Sequence, residues 1–201
     1  PERLLNVGIA GALAPLPETQ LHKKMGWQSR YCFAMTQQDN GLSRLLYGRL
    51  LGGLIRNLPE VFLAVMGLSA AEKDRQVMQQ RGFKQSVVDS MREAFRQGYR
   101  GPYQDLVLVS HDWGFSLQDI KIPIHLWHGE ADSIIPVEMG LHLANNLPDV
   151  MVNILPDEGH FSMTVNYMQH ALEVLCNTDA DAATPANSAS YDATLDVPVN
   201  L

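Results

Sequence analysis

Cysteine is scarce in this sequence, since Cys32 and Cys176 are the only two among 201 residues. Two thiols cannot form the disulfide framework of a small secreted domain, and they supply too few ligands for a cysteine-based zinc site. They fit a reducing compartment, and we expect a cytoplasmic location, although one disulfide would also be compatible with the sequence. No histidine or cysteine pair has zinc-ligand spacing, so we predict no metal, and no motif implies an organic cofactor.

Runs of positive charge and long hydrophobic runs are also missing. The formal net charge is −7 and no stretch is rich in Lys and Arg, which argues against nucleic-acid binding and against binding at a membrane surface. The longest apolar stretch, 7–16, is interrupted by Pro15 and is shorter than the ~20 residues that a membrane span needs. We therefore predict neither a nucleic-acid partner nor a membrane partner. The sequence does not indicate an oligomeric state.

The first two thirds of the chain read as one strand followed by a helical region. The apolar run 3–15 is rich in Gly and Ala and predicts a buried strand. From 17 to 101, apolar residues recur every three or four positions, which predicts helices. Ser69 and Glu72 have the spacing of a capping box. Two helical stripes stand out, namely Leu42, Leu45, Leu46, Leu50 and Leu54, and then Phe83, Val87, Met91 and Phe95 ahead of Gly98.

Strands and helices alternate in the last third. The pattern predicts a strand at 122–129, a helix at 136–147 with Pro136 in its first position, a strand and loop at 150–160, and a helix at 161–175. Such alternation indicates βαβ units, a parallel sheet and an α/β fold. Residues 177–201 lose the periodicity and have few large apolar residues, so we predict a disordered tail there.

Asp132 and His160 are the candidate catalytic residues. Each follows an apolar strand, and parallel neighbours would bring the two loops together at the carboxyl edge of the sheet, where α/β proteins bind ligands. A carboxylate there could accept the Nδ1 proton of the imidazole and leave Nε2 free as a general base. Taken singly, Asp132 would cap the turn before Pro136 and His160 would only start a helix. We expect His125, His128, His142 and His170 to be structural.

The segment 113–175 resembles the C-terminal half of the α/β-hydrolase fold family. The resemblance lies in Asp119-Ile120, Pro123, His128-Gly129-Glu130 before Asp132, Pro136, and Gly159-His160. It implies that Asp132 is the acid and His160 the histidine of a catalytic triad. It also implies a partial α/β-hydrolase fold divided into a core strand (1–16), a helical lid (17–112), the C-terminal core (113–176) and the tail (177–201).

The nucleophile that this family requires is missing from the sequence. The family carries serine in a G-x-S-x-G elbow between a strand and a helix. Gly41, Gly67 and Gly114 each stand two residues before a serine, but none of these serines has a glycine two residues later. The chain also lacks an initiator Met. We therefore expect a fragment whose nucleophile lies upstream, although a degenerate homologue would also fit.

The SHDWG segment offers a different nucleophile, Asp112. Haloalkane dehalogenases and epoxide hydrolases carry an Asp nucleophile in a similar H-D-W-G context. Only residues 115–121 separate this segment from the next predicted strand, too few for the helix that an elbow needs. The helical region also lies wholly before Asp112, whereas the family places its lid after the nucleophile. We therefore predict that Asp112 is incidental.

The resemblance implies a hydrolase of ester, amide or related bonds that acts on a small-molecule substrate. It implies a Ser-Asp-His type triad, so this chain alone would be inactive. Two alternatives remain at this stage. One is a non-catalytic binding or interaction protein with the same fold, and the other is an enzyme of the dehalogenase or epoxide hydrolase type with an Asp nucleophile.

Overall fold

The computed structural model describes residues 4–176. Its sheet has three parallel strands in the order β1 (Val7–Ala10), β2 (Ile124–Gly129) and β3 (Val150–Leu155). The strands follow the predicted apolar runs but are shorter, because the turns and loops at their ends begin earlier. The prediction that the first strand is buried was wrong, since the residues of β1 alternate between half-buried and exposed at the edge of the sheet. All six residues of the central strand β2 are buried, as expected for a strand with neighbours on both sides and helices on both faces.

The helices fall into two groups. Two of them cover the sheet, namely α9 (Val137–Asn146), between β2 and β3, and α10 (His160–Cys176), after β3. The others form the predicted helical region between β1 and β2, and their bounds are α1 (Leu16–Thr19), α2 (Trp27–Gln38), α3 (Gly41–Leu45), α4 (Gly52–Asn57), α5 (Pro59–Gly67), α6 (Glu72–Gln79), α7 (Arg81–Ala94) and α8 (Arg100–Ser110). A π-helical segment, Leu46–Leu51, joins α3 to α4, and 3-10 turns occupy Leu21–Lys24 and Leu117–Asp119.

Alternate residues of β2 pack against different helices. Ile124 and Leu126 belong to an apolar cluster with Leu143 and Leu147, on the side of α9. Trp127 belongs to a second cluster on the side of α10, together with Leu155 and Met163. This two-residue alternation follows from the pleat of a β-strand. It fixes the direction in which β2 leaves the sheet, and so the position of the loop that follows it.

The helical region has apolar clusters of its own and is joined to the sheet domain by another. One internal cluster contains Met35, Tyr47, Ile55, Phe95 and Tyr103, and a second contains Leu63, Ala70, Met78 and Val88. The joining cluster contains four residues before or within the helical region, together with Ile135, just before α9, and Met139, in α9. Those four residues are Ala14, Leu16, Met25 and Phe33.

The leucine stripe at 42–54 was predicted wrongly as one continuous helical face. The π-helical segment at Leu46–Leu51 adds residues to the turn and rotates the later positions away from the spacing of an α-helix. Consequently Leu42, Leu45 and Leu50 are exposed, and the buried positions are Ser43, Tyr47, Gly48, Gly52 and Ile55. The second stripe is confirmed, because Phe83, Val87, Met91 and Phe95 all pack into the apolar clusters of the helical region.

Two predicted helix starts are also corrected. The capping box does not form, because α6 begins at Glu72 with Ala71 as its cap, and the Ser69 hydroxyl donates instead to Gln28 Oε1 at 2.9 Å. Pro136 is the cap of α9 rather than its first helical residue. The tail predicted at 177–201 lies outside the described residues.

No single described helix is both long enough and apolar enough to cross a membrane. One pair, Gly41–Asn57 with Pro59–Gly67, reaches the required length and composition only together and is bent by 100° between its members.

Candidate active site

The loops after β2 and β3 meet at the carboxyl edge of the sheet. Gly129 and Leu155 are register partners at the ends of their strands. Beyond them, the amide of Glu130 donates to the Leu155 carbonyl at 3.0 Å, and the amide of Ala131 donates to the Glu158 carbonyl at 2.9 Å. The two loops are therefore tied together by backbone hydrogen bonds before either candidate side chain is reached.

Asp132 and His160 are in contact, as predicted. His160 Nδ1 lies 2.8 Å from Asp132 Oδ2, and the Asp132 side chain is fully buried. The other carboxylate oxygen, Oδ1, accepts hydrogen bonds from the amides of Ile134 and Ile135 at 2.9 and 2.8 Å. The carboxylate thus caps its own turn with one oxygen and binds the imidazole with the other. The two interpretations open from the sequence, a turn cap and a histidine partner, are both true of this residue.

The hydrogen bond fixes the tautomer of His160. A carboxylate only accepts, so Nδ1 carries the proton and Nε2 has a lone pair when the ring is neutral. Within residues 4–176, no hydrogen bond is made by Nε2, and the side chain is 28% exposed. Burial acts to lower the pKa of His160, but the hydrogen bond to Asp132 and the charges of Asp132 and Asp74 outweigh it and raise the pKa above 6.5. The ring is thus a base of more than ordinary strength.

Gly11, just after β1, brings the chain close to the His160 ring. Its φ is +55°, a conformation that favours glycine, and a Cβ at this position would lie 3.2 Å from both Cε1 and Nδ1 of the ring. The end of β1 therefore forms one wall of the site, beside the imidazole.

His128 supports the turn that carries Asp132. It is fully buried, and its Nε2 donates to the Ile135 carbonyl at 2.8 Å while lying 3.8 Å from Asp132 Oδ2. Burial lowers the pKa of His128, against the opposing effects of the Ile135 carbonyl and Asp132, so the ring is neutral near pH 7. The prediction of a structural role fits this geometry, although its link to Asp132 was not foreseen.

Asp74, in the helical region, was not singled out from the sequence. Its carboxylate is fully buried and accepts hydrogen bonds from the amides of His160, Phe161 and Ser162 at 3.0, 3.0 and 2.8 Å. These three amides form the first turn of α10, where a helix has no acceptors of its own. The sequence did hold one sign of its burial. Asp74 precedes Val77 by three residues and Met78 by four, which places it on the same buried face of α6.

Gly159 makes room for this carboxylate, and replacing it should destabilise the protein. A Cβ at position 159 would collide with the carboxylate of Asp74. We expect Gly159→Ala to lower the free energy of unfolding by about 1–3 kcal/mol, as measured by urea denaturation, because the methyl group pushes α6 away from α10. Gly82→Ala is the matched control. Gly82 lies in the first turn of α7 with no heavy atom within 4 Å, so this change should leave stability equal or slightly higher. Equal losses in both variants would contradict the steric explanation.

The remaining candidates lie away from a strand-to-helix elbow. Asp112 follows α8, not a strand, and its Oδ1 accepts from the amide of Gly114 at 2.8 Å, so the segment SHDWG is a turn after a helix. The three serines that follow the Gly-x pattern stand in α3, before α6 and before a 3-10 turn.

Among the remaining histidines, His125 stacks on Trp127 at 5.8 Å between ring centroids, His142 lies in α9 and His170 in α10.

Metal binding has no support in the part of the chain that the structure describes. Residues 4–176 contain no group of three or more His, Cys, Asp or Glu side chains arranged to hold a metal ion. Cys32 and Cys176 are both free thiols, and burial raises the pKa of Cys32 to about 11.

Comparison with known proteins gives one short sequence match and longer structural ones. No family model matches the chain. A pimeloyl-[acyl-carrier protein] methyl ester esterase from Aromatoleum aromaticum is 35% identical over 54 residues, which is 27% of this chain and 22% of that protein. The structure of an esterase from Rhodococcus sp. ECU1013 superposes with a TM-score of 0.52 at 14% identity, over 87% of this chain and 57% of the esterase. A bromoperoxidase from Bacillus anthracis gives a TM-score of 0.49 at 16% identity, over 87% and 58%. The chain thus spans little more than half the length of these two structures and less than a quarter of the curated relative.

Proposed function

We propose that this chain, whose described residues adopt part of the α/β-hydrolase fold, supplies the acid and the base of an enzyme that hydrolyses carboxylic esters. The observation that carries the proposal is the hydrogen bond of 2.8 Å between the buried Asp132 carboxylate and His160 Nδ1, with Nε2 left unbonded among residues 4–176. An imidazole held in this way has one orientation and one tautomer, which are the requirements of a general base.

The proposed reaction has two steps. In the first, His160 Nε2 takes the hydroxyl proton of a serine while the serine oxygen attacks the ester carbonyl, and the imidazolium then gives that proton to the departing alcohol. In the second, His160 takes a proton from water, the hydroxide attacks the acyl-serine, and the proton returns to the serine as the acid leaves. Asp132 keeps the ring oriented and stabilises the positive charge that the imidazolium carries in both steps.

The serine is proposed to come from a segment of the enzyme that precedes Pro1. None of the 201 residues is a serine in a G-x-S-x-G elbow. The end of β1 at Gly11 lies beside the His160 ring, so a segment adjoining β1 would be able to place its nucleophile near Nε2. This chain alone is therefore proposed to be inactive.

The substrate is proposed to be a small molecule that carries a carboxylic ester. Two of the similar proteins are named as esterases, one of them for a methyl ester. The helical region is proposed to act as a lid, because it lies between β1 and β2 and reaches the site through Asp74. The proposed chemistry uses protein groups only and requires neither a metal nor an organic cofactor.

The decisive experiment extends the chain with the sequence encoded immediately upstream and measures hydrolysis of p-nitrophenyl esters. We expect hydrolysis and labelling by a fluorophosphonate in the extended protein, with kcat/KM falling as the pH drops through the His160 pKa, above 6.5, because only the neutral ring is a base. His160→Gln should abolish hydrolysis. His170→Gln, in the same helix, should not.

Each alternative has its own outcome in this experiment. If the extended chain contains a serine elbow but shows neither hydrolysis nor labelling, the protein is a non-catalytic binding protein. An upstream Asp in place of the serine, with halide or epoxide turnover and no labelling, would identify the dehalogenase or epoxide hydrolase type. Undiminished ester hydrolysis by His160→Gln would refute the role given to His160.

A further inference from the structure

The first turn of α10 is capped by a residue from a distant part of the chain. A helix normally has its first amides capped by the side chain just before it, but that position here is Gly159, which has no side chain. The acceptor is instead Asp74, 86 residues before His160, and its two oxygens take the amides of residues 160, 161 and 162. The first amides of the helix that carries the proposed base are thus capped by the helical region and not by the residue just before the helix.

Asp74 does not share its charge with a cation. Among residues 4–176, no Lys, Arg or His nitrogen forms an ion pair with this carboxylate. Within the described part of the chain, its hydrogen-bond partners are the three amides, and the positive end of the helix dipole of α10 adds a favourable field. The negative charge of this buried carboxylate therefore acts on His160, the first residue of that turn.

The neighbouring residue of α6 strengthens the same contact. Lys73 Nζ lies 2.8 Å from Glu158 Oε1, and Glu158 is itself buried just before Gly159. Phe161 packs with its ring against Phe83 of α7, at 5.5 Å between centroids. Residues on both sides of His160 are therefore held by the helical region.

We propose that Asp74 is a positioning residue for His160, fixing from the helical region the place and the charge of the ring that faces Asp132. The inference rests on the proposed function for the reaction in which this ring acts. It makes the helical region part of the catalytic apparatus, in addition to any role as a cover over the substrate. A displacement of 1 Å in a reacting group costs on the order of 10²-fold in rate, so the loss of Asp74 should lower kcat by about that factor and leave KM unchanged.

Three titratable side chains lie near His160. Asp132 faces the ring from the loop after β2, Asp74 faces its backbone from α6, and His128 lies beyond Asp132 at the end of β2. Both carboxylates raise the pKa of His160 against the effect of burial. Loss of the Asp74 carboxylate should therefore lower this pKa in two ways, by removing its charge and by letting the ring shift away from Asp132.

The experiment is an NMR titration of His160 in the full 201-residue chain labelled with ¹³C-histidine, with the signal assigned from His160→Gln. Asp74→Asn should move the titration midpoint of His160 to lower pH. Glu72→Gln removes one charge from the same helix but from an exposed side chain, and should match the unaltered chain. An unmoved midpoint in Asp74→Asn would overturn the proposal.

Amide hydrogen exchange in the unaltered chain tests the proposal even if Asp74→Asn fails to fold. The amides of His160, Phe161 and Ser162 should exchange much more slowly than those of Val137 and Glu138, at the start of α9, where no side chain accepts a bond. Equal exchange in the two helices would overturn the inference. Failure of the proposed function would instead appear as undiminished ester hydrolysis by His160→Gln in the extended protein, so the two failures are distinguishable.

Discussion

Asp132→Asn should lower the kcat of the extended hydrolase by about 10⁴-fold, the loss found when the orienting carboxylate of a serine protease triad becomes an amide. The Oδ1 of Asn can still accept from the amides of Ile134 and Ile135, so the turn after β2 is retained. The amide nitrogen, however, faces His160 Nδ1 as a donor. It forces the ring proton onto Nε2, and the general base is lost. Steady-state ester hydrolysis measures the effect.

Asp112→Asn is the matched control for this variant. It makes the same chemical change in an exposed aspartate that accepts a hydrogen bond from the Gly114 amide in a turn after α8. We expect kcat within a factor of two of the unaltered enzyme. A loss of activity in Asp112→Asn with none in Asp132→Asn would reverse the assignment and favour the SHDWG segment as the site of chemistry.

The sequence allowed the contact between Asp132 and His160 to be predicted because it depends on local patterns. Two apolar runs of strand length, each followed by a polar residue, lie on either side of one helix of crossover length. Parallel pairing of consecutive strands then brings their carboxyl ends together. The hydrogen bond of 2.8 Å between the two side chains follows from that topology.

Asp74 could not be placed in the same way because its partners are distant in the chain. Nothing near position 74 shows that the amides of residues 160–162 will lie there, since that depends on how α6 packs against α10. The capping box failed for a related reason. Ser69 found a tertiary partner in Gln28, so the local pattern was overridden by a contact across the helical region. The π-helical segment likewise changed the leucine stripe through packing that no periodicity displays.

Leu126→Ala should cost about 2–5 kcal/mol in the free energy of unfolding, the largest stability effect we expect from a single truncation. Leu126 lies in the middle of the central strand, is 0% exposed, and packs between the sheet and α9 with Ile124 and Leu143. Truncation leaves a cavity that β2 cannot close, because the strand is hydrogen-bonded on both sides. Urea denaturation followed by tryptophan fluorescence, to which the buried Trp127 next to Leu126 in β2 contributes, measures the loss.

The register partner of Leu126 provides the control. Val152 pairs with it in β3 but is 37% exposed, so Val152→Ala removes less buried surface and should cost about 1 kcal/mol. A larger loss from Val152→Ala than from Leu126→Ala would show that the core does not lie between the sheet and α9.

Leu126→Ala should lower stability and retain kcat, whereas Asp132→Asn should lower kcat and retain the local structure. Leu126→Ala weakens the strand that leads to Asp132, but the backbone bonds from Glu130 and Ala131 to the β3 loop remain. Below the melting transition it should therefore retain kcat, whereas Asp132→Asn loses kcat while its turn stays hydrogen-bonded. If Leu126→Ala lost as much activity as Asp132→Asn while still folded, the site would depend on packing beneath the sheet and not on the hydrogen bonds that join the two loops at its edge.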